Sequence, residues 1–556
     1  MPTTKKWNVI TEPDKTNEDL GVKDIIELLL KIRGFESKKE IEDFLHPQLE
    51  DVTSENVGID LGEQKKAIKR IIEAIEKQEQ IVVFGDYDVD GITGSAILWE
   101  TLHDLGAKCL PYIPNRIDEG YGLSVKGVTN LQTTIPNTKL IITVDNGIVA
   151  HNAVDFANEQ GMAVIVTDHH TVGESIPAAH SIVHTTNLCG AGVAYLLSKE
   201  LRKELGKETD DDIHLELAAL GTVADLVPLT RANRTLVMHG LQNLRTTTRV
   251  GLVALFNQSG IKQDAIGVYD IGYIIGPRLN AAGRLESAMD SLRLLCTKDR
   301  MRATQLASKL ELTNRERQFL LKEAADHALA GVRSQEATMK NILIVGHETY
   351  QEGVIGLVAG KLVEAFYRPA IVLSIGETHS KASVRSVSGF NIIEFLRSHH
   401  EHFINVGGHP MAAGFTVETA KLAQLQEALE STAAQLIDED ILTRSLKIDI
   451  ELPFAVLDEE LYEELQQLSP FGMANPQPIF ATKGVTIEST RVLGKESNHL
   501  KLMLSQGRKS FEAIAFGMGA RSEEFKTGHK VDIAYVLDEN TWNGNTKLQL
   551  KIKDIA

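Results

Sequence analysis

The chain has 556 residues with 43% apolar and 24% charged side chains, which predicts an ordinary globular protein of three or four domains. Its formal net charge of −18 excludes a protein that binds nucleic acid through bulk positive charge, because the phosphate backbone would be repelled on average. A polyanionic substrate would therefore need local cations, either a groove of Arg and Lys or bound metal.

Targeting and redox signals are absent from the sequence. No stretch is long and apolar enough to span a bilayer, and the start MPTTKKWNVITEPDK lacks the apolar middle of a signal peptide. Cys109, Cys189 and Cys296 lie far apart and form no CxxC, which favours small buried thiols over disulfides or a zinc knuckle. We therefore expect a cytoplasmic protein without a membrane partner.

The first half of the chain changes from a helical to an alternating pattern. Residues 1–60 predict an N-terminal helical extension with the helices VKDIIELLLKIRGF and KKEIEDFLHP. Over residues 61–298, Val- and Ile-rich runs first alternate with amphipathic helices, and the segment from 192 to about 295 is mainly helical. The alternation favours a parallel sheet covered on both faces, and hence an α/β fold.

The second half predicts three further parts. Residues 299–335 read as one long charged helix that connects two domains. Alternation resumes over residues 336–438, which predicts a smaller α/β domain. Over residues 445–556 the apolar period becomes 2, with Gly, Asn and Asp between short strands. This pattern indicates a small antiparallel barrel of the OB type, a common platform for single-stranded nucleic acid, although fold alone does not determine function.

Ligand-type side chains follow three of the predicted parallel strands. The carboxyl ends of parallel strands form the edge at which open sheets bind ligands, so these side chains should converge there. A further acid interrupts an apolar stretch, as an acid does when a cation or a network holds it. The residues are Asp86, Asp88 and Asp90 in FGDYDVDG, Asp145 in LIITVDNG, Asp168, His169 and His170 in AVIVTDHHT, and Asp225 in GTVADLVPL.

Each of these residues also has a structural interpretation. Asp90 precedes a predicted helix and could act only as an N-cap, and Asp145 could only begin a turn. Taken together, however, so many carboxylates would raise one another's pKa values and destabilise the fold unless a cation lay among them. None of the four stretches contains a lysine, so the sequence predicts a metal centre.

The composition of this cluster indicates which metal it would hold. Oxygen ligands with one or two imidazoles and no thiolate suit Mn²⁺ or Mg²⁺, with Mn²⁺ favoured by the histidine nitrogen and zinc disfavoured. The carboxylates outnumber the needs of one ion, which indicates two ions about 3.5 to 4 Å apart. Asp145, alone on the middle strand, is the best candidate for a shared ligand.

The motifs GDYDVDG, VDNG, TDHH and TVADLVPL, in this order, resemble those of the DHH phosphoesterases. The segments IGPRLNAAGRL, GGHPMAAGF and PFGMANPQPIF narrow the resemblance to the RecJ branch, the bacterial single-strand-specific DNA exonucleases. The resemblance covers the chain from about residue 60 to its end. It implies a 5′ to 3′ exonuclease that releases 5′ mononucleotides from single-stranded DNA in repair and recombination by two-metal-ion hydrolysis.

The resemblance also assigns roles to residues of the metal centre. It implies that Asp168 orients the neighbouring histidine and that His170 hydrogen-bonds the scissile phosphate. Some relatives carry a histidine ligand where this chain has Phe84, and Asp86 or water would then complete the coordination. The implied direct ligands are Asp88, Asp90, Asp145, His169 and Asp225, with Asp86 close by.

Two further groups of residues resemble phosphate-binding positions of the family. Arg278, Asn280 and Arg284 would contact the DNA backbone, since the guanidinium fork grips two oxygens, although a solvated helix face is the alternative. The second group resembles the pocket for the terminal 5′ phosphate, in a domain that would face the metals across a cleft too narrow for a duplex. Its residues are Arg116, Ser383, Arg385, Gly407, Gly408 and His409.

Other functions and partners remain open at this point. Small DHH proteins hydrolyse cyclic dinucleotides or very short RNAs, and some relatives in replication complexes are non-catalytic scaffolds that have lost ligands. Base stacking could use Tyr87, Tyr121 or Phe390, although each type of residue is more often core. The expected partner is single-stranded DNA with a 5′ end, and the candidate protein partners are a single-strand-binding protein and a helicase.

Overall fold

The computed structural model describes residues 5–11, 20–115, 118–207, 213–542 and 545–556. The chain forms two compact units. One comprises Met1–Ser37, Phe319–Ser469 and Gln477–Ala556, and the other comprises Lys38–Gln318 and Pro470–Pro476. Within the described ranges, no helix has the length and apolar character that a bilayer crossing requires.

The N-terminal segment contains a strand as well as the predicted helices. Strand β1 (Lys6–Val9) precedes α1 (Val22–Ile32) and pairs in parallel with the strand Ser445–Ile448. The indole of Trp7 packs on Ile448 and donates a hydrogen bond of 2.8 Å to Asp554. The strand was not predicted, because four residues carry too little periodicity to identify a partner that is 439 positions away.

The unit formed mainly by Lys38–Gln318 is built on a parallel sheet, as predicted, whose five strands run in the order β3-β2-β4-β5-β6. Ile81 and Val83 face one hydrophobic core, whereas Val82 and Phe84 face a second core on the other side of the sheet. The strands are β2 (Gln80–Gly85), β3 (Cys109–Tyr112), β4 (Thr138–Val144), β5 (Ala163–Asp168) and β6 (Ser181–His184).

Helices cover both faces of this sheet. Those between Gly190 and Cys296 form the segment that was predicted to be mainly helical. A π-helical turn, Ile271–Ile275, joins two of them. The helices are α2 (Lys38–Leu45), α3 (Leu61–Glu76), α4 (Val89–Asp104), α5 (Val125–Thr134), α6 (His151–Glu159), α7 (Gly190–Glu204), α8 (Leu215–Ala224), α9 (Arg231–Thr246), α10 (Val250–Ser259), α11 (Val268–Asp270), α12 (Gly276–Leu285), α13 (Met289–Cys296) and α14 (Arg300–Ser334).

The segment after α14 forms a five-stranded mixed sheet in the order β10-β11-β9-β8-β7. Only β7 and β8 are parallel, and α15 is the crossover between them, as the alternating pattern predicted. The elements are β7 (Leu343–His347), α15 (Glu352–Phe366), β8 (Ala370–Ser374), β9 (His379–Arg385), α16 (Ile392–Arg397), β10 (Asn405–His409), β11 (Ala412–Glu418) and α17 (Leu422–Leu436).

The C-terminal segment forms the predicted barrel. Five strands run in the order β14-β15-β16-β18-β17 and close through pairing of β14 with β17. Most pairs are antiparallel, but β16 pairs with β18 in parallel. The elements are β12 (Ser445–Ile448), β13 (Ile450–Glu451), α18 (Glu459–Gln466), β14 (Phe480–Leu493), β15 (His499–Gln506), β16 (Lys509–Ala515), β17 (Lys530–Trp542) and β18 (Asn545–Ile555).

A network of charged residues connects α4 to α8. It lies at the end of each helix that is far from the acidic motifs. Arg249 donates to Glu100 on α4 and to Glu216 on α8, at 2.7 and 2.8 Å. It also donates to Nδ1 of His214 at 3.2 Å. Burial and the positive charge of Arg249 lower the pKa of His214 to about 3, so this imidazole is neutral and can accept the bond. The network therefore fixes the ends of two helices with one guanidinium.

We expect Arg249→Met to lower the stability of this unit by about 3 kcal/mol, because it leaves the buried Glu216 and the half-buried Glu100 without their counter-charge. Urea unfolding followed by circular dichroism measures the change. Arg293→Met is the matched control, since Arg293 pairs with Asp290 on the surface and its loss should cost less than about 1 kcal/mol. Equal midpoints for the two variants would contradict the stabilising role of Arg249.

Candidate metal centre

The acidic motifs meet at one edge of the parallel sheet because their strands are neighbours. Strands β2, β4 and β5 are adjacent and in parallel register, and each is followed directly by motif residues. Three overlapping groups of side chains could each hold a metal ion, since their ligand atoms lie within 4.8 Å of one another. The groups are Asp145 with His169 and His170, Asp90 with His169 and Asp225, and Asp86 with Asp88 and Asp145.

His169 lies at the centre of the cluster. Its Nε2 is 3.1 Å from Oδ1 of Asp145, 3.5 Å from Oδ2 of Asp225 and 3.7 Å from Oδ2 of Asp90. Burial lowers the pKa of His169, so the imidazole is neutral and has a lone pair to offer. Three carboxylates from three different parts of the chain thus surround one imidazole nitrogen.

The backbone anchors the first motif at the start of α4. Asp88 is the N-cap residue and accepts a hydrogen bond of 3.1 Å from the amide of Gly91. Asp90 is buried, and its two oxygens accept from the amides of Gly190 and Ala191 at 2.6 and 2.8 Å. These amides belong to the first turn of α7, whose dipole favours a negative charge. Asp90 is therefore held by the N-terminus of a second helix and not only by its own.

The backbone of Asp145 has a conformation that residues other than glycine rarely adopt. Its φ is 63°, in the left-handed region, which is typical of strained residues at functional sites. Helix α7 approaches closely at Gly190, where a Cβ would lie 2.6 Å from the Cβ of Asp145. A side chain at position 190 would thus displace the carboxylate that belongs to two of the candidate metal groups.

The electrostatics of the cluster call for a cation. Burial and the charges of Asp90 and Asp88 raise the pKa of Asp225 to about 9. Burial, followed by the charges of the same two acids, raises the pKa of Asp145 well above its ordinary value. Oδ1 of Asp145 and Nε2 of His169 are also buried without a hydrogen-bond partner. Hard oxygen ligands, one neutral imidazole and two unpartnered acceptor atoms fit Mn²⁺ or Mg²⁺.

Asp168 and His170 form a hydrogen-bonded pair beside the cluster. Oδ1 of Asp168 accepts from Nδ1 of His170 at 2.8 Å and from the amides of His169 and His170, and Oδ2 accepts from the amide of Ile148. Burial raises the pKa of Asp168, but these hydrogen bonds outweigh it and keep the pKa below its ordinary value. With both oxygens engaged, Asp168 is suited to orient His170 and not to bind metal.

Two residues contact the centre in ways that the sequence did not predict. The hydroxyl of Tyr121, which the sequence offered only for base stacking, lies 3.1 Å from both the carbonyl oxygen of Asp145 and Nε2 of His170. The side chain of Asn146 donates to the carbonyls of Phe84 and Val144 and so joins the ends of β2 and β4. Asn146 was visible in the VDNG motif, whereas Tyr121 stands in no motif and only the tertiary structure brings it here.

Helix α12 packs against the first motif. Oδ1 of Asn280 accepts a 3.0 Å hydrogen bond from the amide of Val89. One turn on, a Cβ at Gly283 would lie 2.5 Å from the carbonyl oxygen of Tyr87. Arg278 donates to Glu311 at 2.7 Å, so it is already paired. Arg284 follows Gly283 on the same helix and is half-buried.

The strand register of the smaller sheet places four of the residues predicted to bind the 5′ phosphate on one face. Ser383 and Gly407 both pair with Gly414, whereas Arg385 and His409 both pair with Ala412. Residues two apart on a strand share a face, so Ser383, Arg385, Gly407 and His409 lie on one face of this sheet. Gly408 lies between the two rows with a φ of 142°. Arg116 lies outside the described residues.

Phe84 and Phe390 are core residues, whereas Tyr87 is only half-buried. Phe84 is fully buried and stacks on Tyr112 with 5.2 Å between the ring centroids, so its side chain belongs to a core and not to the metal cluster. Phe390 is buried in the core of the smaller sheet and does not serve for stacking. Tyr87 is half-buried beside Tyr121, with 6.4 Å between the ring centroids.

Comparison with known proteins agrees with this architecture. Residues 80–222 match the DHH family, N-terminal domain; residues 339–435 match the DHHA1 domain; and residues 448–554 match the RecJ OB domain. The chain is 35% identical over 572 residues to the single-stranded-DNA-specific exonuclease RecJ of Bacillus subtilis, covering 100% of this chain and 71% of the relative. It is 31% identical over 557 residues to that of Haemophilus influenzae, covering 95% of both chains.

Solved structures show the same similarity. RecJ of Thermus thermophilus in complex with Mn²⁺ superposes with a TM-score of 0.84 at 31% identity, covering 99% of this chain and 79% of that one. The complex of the same protein with Mg²⁺ gives a TM-score of 0.75 at 29% identity, covering 99% and 78%.

The parallel sheet with its acidic edge, the DHHA1 domain and the barrel define a DHH phosphoesterase with an appended OB domain. Within that class, the chain belongs to the RecJ family of single-stranded-DNA-specific exonucleases. The resemblance predicted from about residue 60 onwards is thereby confirmed, and the similarity to the relative from Bacillus subtilis extends over the whole chain.

We expect Asp145→Asn to abolish stabilisation by Mn²⁺ without weakening the metal-free fold, because it removes a ligand and also relieves repulsion among buried acids. At 100 times the dissociation constant, Mn²⁺ should stabilise the parent by about 2.7 kcal/mol. Thermal unfolding with Mn²⁺ and with EDTA measures both effects. Asp155→Asn on the surface of α6 is the control, and an unchanged response of Asp145→Asn to Mn²⁺ would contradict the ligand assignment.

Proposed function

We propose that this protein degrades single-stranded DNA from its 5′ end to 5′ mononucleotides, by hydrolysis in the candidate metal centre and in the service of DNA repair and recombination. The observation that carries the proposal is the convergence of Nε2 of His169 with the carboxylates of Asp90, Asp145 and Asp225 within 3.7 Å. Such a cluster suits divalent ions that hydrolyse phosphodiesters. The substrate, single-stranded DNA, is inferred from membership of the RecJ family.

Two Mn²⁺ or Mg²⁺ ions, when bound, would activate a water molecule and neutralise the oxygens of the scissile phosphate. Asp145 belongs to two of the ligand groups and is the proposed shared ligand. Asp86 and Asp88 are proposed to complete one position, and Asp90, His169 and Asp225 the other. Asp86 thus takes the place of the histidine that some relatives have at position 84.

His170 is proposed to donate a hydrogen bond to the scissile phosphate. Its Nδ1 faces the carboxylate of Asp168, which raises the pKa of His170 against the opposing effect of burial. The hydrogen bond to Asp168 fixes the orientation of the ring, and in the protonated imidazole Nε2, which lies 3.1 Å from the hydroxyl of Tyr121, is the donor. Asn280 acts through the backbone of the first motif, because its bond to Val89 fixes the loop between Asp88 and Asp90.

The 5′ end is proposed to bind on the open face of the smaller sheet. Small residues in the middle strand, Ala412 and Gly414, leave the backbone accessible between Arg385 and His409. Gly408 permits this, because its φ is positive and a Cβ there would lie 2.4 Å from the carbonyl oxygen of Ala412. A terminal phosphate has two charges for the Arg385 guanidinium to bind, whereas an internal phosphate has one.

Helix α15 borders this face with its N-terminal half. At Gly356, a Cβ would lie 2.8 Å from Oγ of Ser383 and 3.2 Å from Nη2 of Arg385. The positive end of a helix dipole beside an arginine favours an anion. These contacts support a phosphate subsite formed by Ser383, Arg385 and the first turns of α15.

The other functions considered for the sequence gain no supporting observation. Hydrolysis of cyclic dinucleotides or very short oligonucleotides needs no OB domain, and a non-catalytic scaffold needs no intact ligand cluster. We further propose that the protein acts in the cytoplasm, with a single-strand-binding protein and a helicase as the partners that supply the strand.

We expect the parent protein with Mn²⁺ to release 5′ mononucleotides from a long 5′-phosphorylated single strand and to leave a blunt duplex intact. Asp145→Ala should reduce release below detection, since it removes the shared ligand. Chromatography of the released nucleotides measures both. Asp155→Ala should cleave like the parent, and undiminished cleavage by Asp145→Ala would refute the shared-ligand role.

We expect Arg385→Ala to lower the preference for 5′-phosphate over 5′-hydroxyl ends by about ten-fold, the value of one charge-assisted hydrogen bond. The ratio of kcat/KM on the two otherwise identical strands measures the preference. Arg397→Ala, on the exposed surface of α16, is the matched loss of charge and should not change the ratio. If Arg385→Ala discriminates the two ends as the parent does, the pocket is elsewhere.

A further inference from the structure

An exposed aromatic pair lies directly before helix α12. Tyr269 and Tyr273 are 68% and 72% exposed, and their rings stack with 4.8 Å between centroids at an angle of 24°. Ile271 and Ile275, on the other side of the same turns, are fully buried. Core packing therefore explains the isoleucines and not the tyrosines, which together leave a large aromatic surface in water.

Tyr273 lies within an irregular turn of helix, and Tyr269 lies just before it. Residues Ile271–Ile275 form a π-helical turn, and the amide of Gly276 donates to the carbonyl of Ile271, five residues earlier. Isolated π-helical turns are rare and occur frequently at functional sites. The turn is part of the segment that also carries Arg278 and Asn280.

This segment is continuous with the metal centre. A Cβ at Gly276 would lie 3.8 Å from Cβ of Ala224 and 3.9 Å from Cγ2 of Val89. Ala224 precedes the ligand Asp225, and Val89 lies between Asp88 and Asp90. Tyr273 is three residues before Gly276, which is about 5 Å along a helix axis. The aromatic pair therefore stands on the same helical segment that packs against the residues next to the cluster.

Positive charge adjoins the pair in a chain that is acidic overall. Arg278 donates to the carbonyl of Ile274, next to Tyr273, and shares the carboxylate of Glu311 with Arg315. Arg317 donates to Asn314 at 2.9 Å, but its Nε is buried without a partner. Burial and then the charge of Arg278 lower the pKa of Arg317, which places the two guanidinium groups close together. Two arginines share the single carboxylate of Glu311, which leaves a surplus of positive charge.

We propose that Tyr269 and Tyr273 form a stacking platform for bases of the single strand beside the metal centre, where the positive charge of the neighbouring arginines attracts the phosphates of the same stretch. Each ring has a second face for a base, so base, Tyr269 and Tyr273 can form one continuous stack. Stacking is indifferent to base identity, as a nuclease that must process any sequence requires. The platform rests on the proposed function, since it takes single-stranded DNA as the ligand.

A double-mutant cycle between protein and strand tests the platform. The full chain, in Ca²⁺ instead of Mn²⁺ to avoid cleavage, is titrated against a fluorescein-labelled 5′-phosphorylated oligothymidylate and against the same strand with abasic internal residues. We expect Tyr269→Ala/Tyr273→Ala to weaken binding of the natural strand about ten-fold or more, as for the loss of base stacking. The same variant should bind the abasic strand as the parent does, because no base remains to stack.

Two controls separate stacking from folding and from exposed apolar surface in general. Tyr269→Phe/Tyr273→Phe keeps the rings and should bind both strands like the parent. Met301→Ala removes a side chain that is 71% exposed in the same unit and should change neither affinity. Fluorescence anisotropy measures the affinities, and circular dichroism checks that each variant is folded.

Three outcomes would overturn the platform. They are unchanged binding of the natural strand by the alanine variant, an equal loss on the natural and abasic strands, and a parent that binds neither strand. Release of nucleotides by the parent in Mn²⁺ tests the proposed function separately, so failure of the platform and failure of the exonuclease activity are distinguishable.

Discussion

Repulsion among buried carboxylates is the constraint on which the rest of the structure depends. Asp90 and Asp145 are buried, and burial together with the neighbouring carboxylate charges raises the pKa values of Asp88, Asp145 and Asp225 at the edge of one sheet. Such an arrangement is stable only with a cation or a proton in its midst. The strained backbone of Asp145, the helix N-terminus on Asp90 and the glycine at position 190 all keep the acids together.

Support for the centre comes from elements that contribute no ligand. Asn280 and Gly283 on α12 bring that helix against the backbone of the first motif. Helix α4 begins in the centre and α8 ends there, and Arg249 joins the two helices near their opposite ends. A helix that is fixed at both ends holds the metal-binding side chains near its end within the narrow positional limits that metal coordination allows. This explains why a charged network is found far from any chemistry.

The sequence was sufficient for the architecture and for the acidic residues that meet at one edge of the sheet. Runs such as Ile81–Phe84 and the helices between them have a clear period in the sequence alone, so the parallel sheet and its acidic edge could be inferred. The register of the smaller sheet could not, because the pairing of Arg385 with Ala412 joins strands that are separated in the chain by α16 and β10. Phe390 shows the same limit, since its burial depends on a core built by later elements.

The sequence by itself determined the class of protein, the metal-binding chemistry and the positions of the acids, because carboxylates at strand ends have few uses. The tertiary structure alone decided which groups surround them. It brought Tyr121 to His170, turned Asn280 towards the first motif, paired Arg278 with Glu311 and left Tyr269 and Tyr273 in water. Those placements depend on how helices pack across long stretches of chain, and packing leaves no periodic signal in the sequence.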